Sequence, residues 1–198
     1  MDKRTVTVTG QGDVAVVPDS AVVRVAALAR AGRLAEALGG ATSAAGTIGA
    51  VARRHTSERR VATTGINVWP WHDDHGQQQG FEARHSLAIG CPDVAIAGVL
   101  LDALATEVGD ALVVEGVSLE VSEPGAARDE AVAQAYADAH RQAGRLAELA
   151  GASLGEVLAI GEAVAGVPRP GATASLSAKI EPGETSISAG LTVTWALV

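Results

Sequence analysis

Aromatic and sulfur-containing side chains are scarce in this chain, which has one Phe, one Tyr, three Trp, one Met and one Cys among 198 residues. The single cysteine, Cys91, cannot form an intramolecular disulfide, so cross-linking contributes nothing to the fold. The hydrophobic 47% of the chain consists mostly of Ala, Val and Leu. Because such small side chains fill little volume, we expect helices that pack by close backbone approach around one continuous core.

Basic residues are also few, since 15 Lys and Arg stand against 23 Asp and Glu and the formal net charge is −8. Broad binding to nucleic acid needs a basic surface that neutralises phosphates, so the composition predicts no nucleic-acid partner. No apolar run approaches the length of a membrane span, and residues 1–4 lead into a strand without the apolar region of a signal peptide. We expect a soluble, cytoplasmic protein, an expectation that a removed export signal would change.

Several segments of the chain have the residue patterns of β-strands. Residues 5 to 30 predict two antiparallel strands separated at Pro18-Asp19, where the fixed φ of proline favours a turn. Residues 61 to 71 and 81 to 90 predict a hairpin with a polar tip. The period-two alternation after residue 185 predicts a final strand with Ile187, Ala189, Leu191, Val193, Trp195 and Leu197 on one face.

Helical spacing predicts three helices, from Leu34 to about Arg54, between Pro92 and Gly109, and between Pro124 and Gly151. The resulting order, β-β-α-β-β-α-β-α-β-β, predicts an α+β fold with a largely antiparallel sheet on which three main helices pack. We expect a single domain over residues 1–198, with a flexible loop at 165–178 where Gly, Pro, Ser and Ala predominate. The predicted apolar face of the third helix is Val132, Tyr136, Ala139, Ala143, Leu146 and Ala150.

A series of short motifs runs along nearly the whole chain: Gly10-Gln11-Gly12, Pro18-Asp19, Asn67-Val68-Trp69-Pro70, Gly80-Phe81-Glu82-Ala83, an Ala-rich helix over 129–150, the segment 151–160, and Ile180-Glu181-Pro182-Gly183-Glu184. Their order and spacing resemble the SIMPL-domain family, which includes the YggE-like proteins and the periplasmic immunogenic proteins of bacteria. The resemblance implies an α+β fold, homo-oligomeric rings and loose links to stress tolerance or envelope function.

The resemblance implies no established enzyme activity and supplies no active-site residues. We interpret its matched Gly and Pro positions as turns. This chain departs from the family in two respects. Many relatives are exported, whereas this chain shows no export signal, and Arg59-Arg60 stands where relatives often have an acidic residue.

One local cluster has the residue types of a metal site. His72, Asp73, Asp74 and His75 place two imidazoles and two carboxylates within four residues of a loop, and such groups bind zinc and other divalent ions. A loop alone does not fix a coordination geometry, and no further ligand lies close in sequence. The alternative is a solvated loop tip.

Two groups of residues predict a protein interface. Trp69 and Trp71 flank the loop, and exposed tryptophan often anchors an interface, so we favour a subunit contact over a metal there. Positive charge gathers just before the hairpin and could dock an anionic ligand or another subunit, although cations also favour a helix C-terminus. This basic group consists of Arg53, Arg54, His55, Arg59 and Arg60, of which Arg59 and Arg60 are our interface candidates.

Three single features favour structural interpretations. His85 shares a strand face with apolar residues, which is typical of a hydrogen-bonded packing histidine. Residues 10–15 match a G-x-G-x-x-A nucleotide fingerprint but lead into β-branched residues rather than into a helix. Cys91 lies between a strand and a helix, the place of a small buried residue.

The leading expectation is therefore a non-enzymatic, homo-oligomeric SIMPL-domain protein without a cofactor, serving stress tolerance or scaffolding. The second is a binding module for a divalent metal or a small anionic ligand. An uncharacterised enzyme is third, because no acid, base and nucleophile converge in the sequence.

Overall fold

A computed structural model describes residues 4–163 and 183–198, which contain seven strands and three α-helices. The predicted α+β class and the predicted order of elements are confirmed. The predicted loop at 165–178 lies outside the described residues, and the single-domain boundary stays a prediction. The elements are β1 Thr5–Val16, β2 Ser20–Ala31, α1 Leu34–Ala52, β3 Val61–His72, β4 Gln78–Cys91, α2 Val94–Val108, β5 Leu112–Glu120, α3 Gly125–Leu149, β6 Leu154–Ala163 and β7 Thr185–Leu197.

The strands form two antiparallel sheets, one in the order β1-β7-β6 and the other in the order β3-β4-β2-β5. The prediction that the first two strands pair with each other is wrong. All of β1 pairs with β7, from Thr5 opposite Ala196 to Val16 opposite Thr185. In the four-stranded sheet, β2 pairs with β4 on one side and with β5 on the other. Its neighbouring residues Val25 and Ala26 are both fully buried, as expected of a central strand.

The described residues divide into two compact units. The three-stranded unit contains residues 4–17, 123–163 and 183–198, with α3 packed on β1 and β7. The four-stranded unit contains residues 18–122, with α1 and α2 contributing to its core. No helix in the described part of the chain is both long and apolar enough to cross a bilayer.

The core of the four-stranded unit is built from branched side chains. One face of β2 and β4 points toward the helices and is covered by them. Because the alternate residues of a strand point to opposite faces, the other face of this sheet carries a separate set of side chains. The largest fully buried members of this core are Val23, Val25, Ile48, Val51, Ile89, Leu100 and Leu104.

The core of the three-stranded unit is built around small side chains on α3. The predicted apolar face of this helix is partly wrong, because Tyr136 is 37% and Leu146 46% exposed. The buried residues recur every four positions and are all alanine, so they form one narrow stripe. They face Val8, Val193 and Trp195. The stripe is Ala131, Ala135, Ala139, Ala143 and Ala147.

The alanine stripe meets two glycines of β1. A methyl group at Gly10 would lie 2.1 Å from the carbonyl oxygen of Ala135, and one at Gly12 would lie 2.1 Å from that of Ala131. Only glycine therefore lets the helix backbone approach the strand this closely. The interpretation of Gly10 and Gly12 as turn residues is wrong, since both lie inside β1.

Candidate interface on the four-stranded sheet

The β3 strand forms one edge of its sheet and pairs only with β4 among the described residues. Residues 61–71, which form almost the whole strand, include no charged side chain. Ile66 is 51% and Trp69 37% exposed on it. Long, uncharged edges with exposed apolar side chains are the kind of surface that pairs with another chain, because their backbone N–H and C=O groups lack partners.

The strand register brings both predicted tryptophans to the sheet face opposite the α1 side. Trp69 and Arg30 are both opposite Glu82, one on each side of β4, so the three side chains share a row and a face. The next residue, Ala83, packs with Ala37 and Ala41 of α1 on the other face. The predicted interface tryptophans therefore lie beside a charged pair rather than over the helical core.

Arg30 connects this charged pair to Trp71. Its Nε donates to Glu82 Oε2 at 2.6 Å, and its guanidinium carbon lies 4.8 Å from the ring centroid of Trp71. Glu82 is only 9% exposed, so its charge needs the arginine as a partner. The cation over the aromatic face holds Trp71 in place, whereas Trp69 has no such ring contact among the described residues.

Further along the same face the polar side chains also bind one another. Arg84 Nε lies 3.2 Å from Glu115 Oε1, and the Ser86 hydroxyl donates to the same oxygen at 3.2 Å. Arg24 donates to the Ser118 hydroxyl at 2.8 Å. Arg84 and Glu115 therefore form an ion pair by distance, although Arg84 Nε is buried without a well-aligned hydrogen bond among the described atoms.

Two arginines that precede β3 have no acidic partner in the described part of the chain. In the predicted basic group, Arg53 lies 3.4 Å from Glu58, and Arg54 lies 2.5 Å from Glu107. Arg59 and Arg60 are exposed, and neither pairs with a carboxylate within residues 4–163 and 183–198. Of the four arginines in the basic group, Arg53 and Arg54 are therefore ion-paired, whereas Arg59 and Arg60 are exposed to solvent at the start of β3.

The other end of β3 leads into the predicted metal loop, which is a turn organised by Asp73. One oxygen of this carboxylate accepts from the backbone N–H groups of Gln77 at 2.9 Å and His75 at 3.0 Å, and the other accepts from the Gln79 amide at 2.7 Å. These hydrogen bonds, led by the one from Gln77, hold the pKa of Asp73 below its usual range. A metal ion at Asp73 would therefore compete with the turn.

The remaining residues of this loop, His72, Asp74 and His75, are exposed. No three His, Cys, Asp or Glu side chains converge into a metal-binding group anywhere in the described ranges. The metal site predicted from His72, Asp73, Asp74 and His75 stays a prediction.

The other single candidates occupy structural positions. His85 Nε2 lies 3.0 Å from the Thr63 hydroxyl, and its Nδ1 is buried without a hydrogen-bond partner among the described atoms. Cys91 is fully buried, and this burial raises the pKa of its thiol despite the opposing charge of Arg60. The glycines of the G-x-G-x-x-A match lie within a strand and not at the N-terminus of a helix.

The sequence interpretation missed Arg30 and Glu82, the pair that organises the row at Trp69. Their contact depends on the register of β2 against β4, which joins residues 52 positions apart. The local sequence shows only that Glu82 stands between two apolar residues, Phe81 and Ala83.

Comparison with known proteins adds a relationship to this geometry. No curated protein matches the chain. A family model described as SIMPL, protein of unknown function (DUF541), matches residues 6–195. Because this match covers nearly the whole chain, the protein belongs to the SIMPL family.

Proposed function

We propose that this SIMPL protein is a non-enzymatic homo-oligomer that acts as a scaffold. The observation that carries the proposal is the edge strand β3, which is uncharged over residues 61–71 and exposes Ile66 and Trp69. Natural proteins usually protect long sheet edges with charges, so an edge without them favours pairing with a second chain. Exposed tryptophan beside such an edge adds apolar area that association would bury.

The non-enzymatic part of the proposal is supported by the state of the ionisable groups on the same sheet. Glu82 is paired with Arg30, and Glu115 is paired with Arg84. The pKa of Asp73 is lowered by its hydrogen bonds, which keeps the carboxylate charged rather than poised to transfer a proton near neutral pH. These groups are arranged to stabilise the fold.

A second candidate function is the binding of a small anion at Arg59 and Arg60. Their exposed position without a carboxylate partner in the described residues favours it over the divalent-metal alternative. Calorimetry with inorganic phosphate and with a dicarboxylate tests it directly. The absence of heat at millimolar ligand would contradict this candidate.

Native mass spectrometry of the untagged protein tests the leading proposal, because one spectrum reports the assembly state and any retained small molecule. We expect a defined oligomer without extra mass. A monomer at micromolar concentration would overturn the proposal, and a monomer with extra mass would favour a binding module.

A matched pair of variants locates the interface. Ile66→Lys introduces a charge on the β3 edge and should reduce the oligomer to smaller species. Val99→Lys introduces the same charge at a residue of α2 that is 57% exposed, and should leave the assembly unchanged.

A further inference from the structure

The two ends of β3 carry opposite charges that have no ion-pair partner among the described residues. Arg59 and Arg60 lie immediately before Val61, and the exposed Asp74 follows two residues after His72. Between these ends the strand has no charge. The strand is therefore basic at its start, acidic just beyond its end and neutral between.

Such a strand is complementary to itself when two copies run in opposite directions. Antiparallel pairing over nearly the full strand, with a two-fold axis at Asn67, places residue 62 of one copy opposite residue 72 of the other. Arg60 of each copy then approaches Asp74 of its partner copy, and this happens twice because the arrangement has two-fold symmetry. No like charges are opposed along the paired segment, since residues 61–71 carry none.

The other strand edges within residues 4–163 and 183–198 differ from β3 in their charges or their backbone contacts. The β5 strand carries Glu115 and Glu120, and β6 carries Glu156 and Glu162, charges of one sign that protect an edge from pairing. At the edge of β1, Asp138 of α3 accepts the backbone N–H of Gln11 at 3.2 Å.

Pro70 is compatible with the pairing. Proline occurs in edge strands where its missing N–H removes no existing ladder bond. In the full-length register Pro70 lies near one end of the paired segment, so the hydrogen bond that it cannot donate is lost away from the centre.

We propose that two copies of this chain associate through antiparallel β3–β3 pairing, with Arg60 of each copy opposite Asp74 of the other, to give one continuous eight-stranded sheet. This inference rests on the proposed self-association and specifies its interface. The partner is a second copy of the same chain, recognised by backbone hydrogen bonds in the middle of the strand and by charge at its ends.

Charge reversal tests the register. Arg60→Asp or Asp74→Arg alone turns two attractions into two repulsions, and should weaken the association by about tenfold at low salt. The combined variant carrying both changes restores the opposite charges and should regain most of the affinity. Asp110→Arg, an exposed residue after α2, is the control for net charge and should have no effect.

A cysteine placed near the two-fold axis gives a readout that does not depend on affinity. Asn67 lies at the middle of β3, and opposed residues of antiparallel strands have the Cα separation that a disulfide requires. Under oxidising conditions Asn67→Cys should form a covalent dimer, whereas Ala50→Cys on the exposed side of α1 should not.

The outcomes separate the two proposals. Weakening by each single reversal, recovery in the combined variant and cross-linking through residue 67 would support the β3 pairing. An oligomer that ignores the reversals and does not cross-link would overturn the pairing while the proposed self-association stands. A wild-type monomer would overturn both.

Discussion

The two units of this protein bring a helix onto a sheet by opposite means. In the four-stranded unit, Leu100, Leu104 and Ile48 fill the space between the helices and the strands with branched side chains. In the three-stranded unit, the buried residues of α3 are all alanines, and they lie against glycines at positions 10 and 12 of β1. One core therefore depends on side-chain volume and the other on the absence of side chains, so the two should fail under opposite substitutions.

Removal of volume should damage the four-stranded unit most. Leu100→Ala deletes a fully buried side chain, and we expect a loss of about 2–5 kcal/mol in the free energy of unfolding because a cavity remains. Urea unfolding followed by circular dichroism measures it. The neighbouring Val99→Ala removes a 57% exposed side chain and should change stability by less than about 0.5 kcal/mol. Equal effects of the two variants would contradict the assignment of this core.

Addition of volume should damage the three-stranded unit. Gly10→Ala forces its methyl group against the Ala135 carbonyl oxygen, and we expect a loss of about 3 kcal/mol, at the upper end of overpacking effects. The transition can be followed through Trp195, which is buried in this unit, in a variant with Trp69 and Trp71 replaced by Phe.

The matched control for this substitution is Gly39→Ala. Gly39 lies in α1, and no described atom outside the neighbouring backbone of that helix would lie within 4 Å of the added methyl group. Alanine there should stabilise the protein by up to about 1 kcal/mol, because it is the better helix former. If Gly10→Ala behaved like Gly39→Ala, the close approach of α3 to β1 would be disproved.

A smaller effect distinguishes the polar face of the four-stranded sheet from its core. Glu82→Gln keeps the shape of the side chain but removes the charge that faces Arg30, which is itself half exposed. We expect a loss of about 1 kcal/mol in stability together with a change in tryptophan emission, because Arg30 also holds Trp71. Unchanged emission would mean that Trp71 does not depend on the ion pair.

The smallest effect concerns acid, because each unit contains a hydrogen-bonded carboxylate whose pKa is lowered. Hydrogen bonds from Ser122 hold the pKa of Asp19 below its usual value in the four-stranded unit, and the Gln11 N–H, followed by Gln142 and nearby arginines, does the same for Asp138 in the three-stranded unit. Because both pKa values are lowered by folding, the stability that they contribute is present at neutral pH and is lost as pH falls below about 4.

Alanine at either position should remove part of this acid dependence. Urea titrations of Asp19→Ala and Asp138→Ala between pH 7 and pH 3 measure it, and both variants should lie closer to the wild type at pH 3 than at pH 7. A gap that widened toward acid would contradict the direction of the pKa shifts.

Periodicity predicted the strands well because a half-covered sheet records its buried face in every second residue. The buried Leu191, Val193 and Trp195 of β7 belong to the face that the alternation predicts. The same logic was wrong for α3, where it favoured Tyr136 and Leu146 over Ala131 and Ala135. Hydrophobicity measures the free energy that a side chain gains by burial. The narrow space between α3 and the glycines at positions 10 and 12 decides instead which side chains fit there, and alanine fits.

The site shows the same division between local and distant information. Trp69, Trp71, Arg59 and Arg60 stand out in the sequence, but their arrangement around an unpaired edge depends on the strand order. Local clustering suggested a metal at Asp73, and hydrogen bonds from residues two, four and six positions later engage its carboxylate in a turn. The sequence shows which groups are near in the chain, while register decides which of them meet.

The contact of Gly10 and Gly12 with α3 has a consequence for genetics. The nearest clashing atoms are backbone oxygens and nitrogens, which every amino acid carries, so no side-chain substitution on α3 can act as a second-site suppressor of a larger residue in β1. A saturation mutagenesis scan would find both positions intolerant and without compensating partners. That profile is easily mistaken for the imprint of an active site, and here it would mark only two stretches of backbone that must touch.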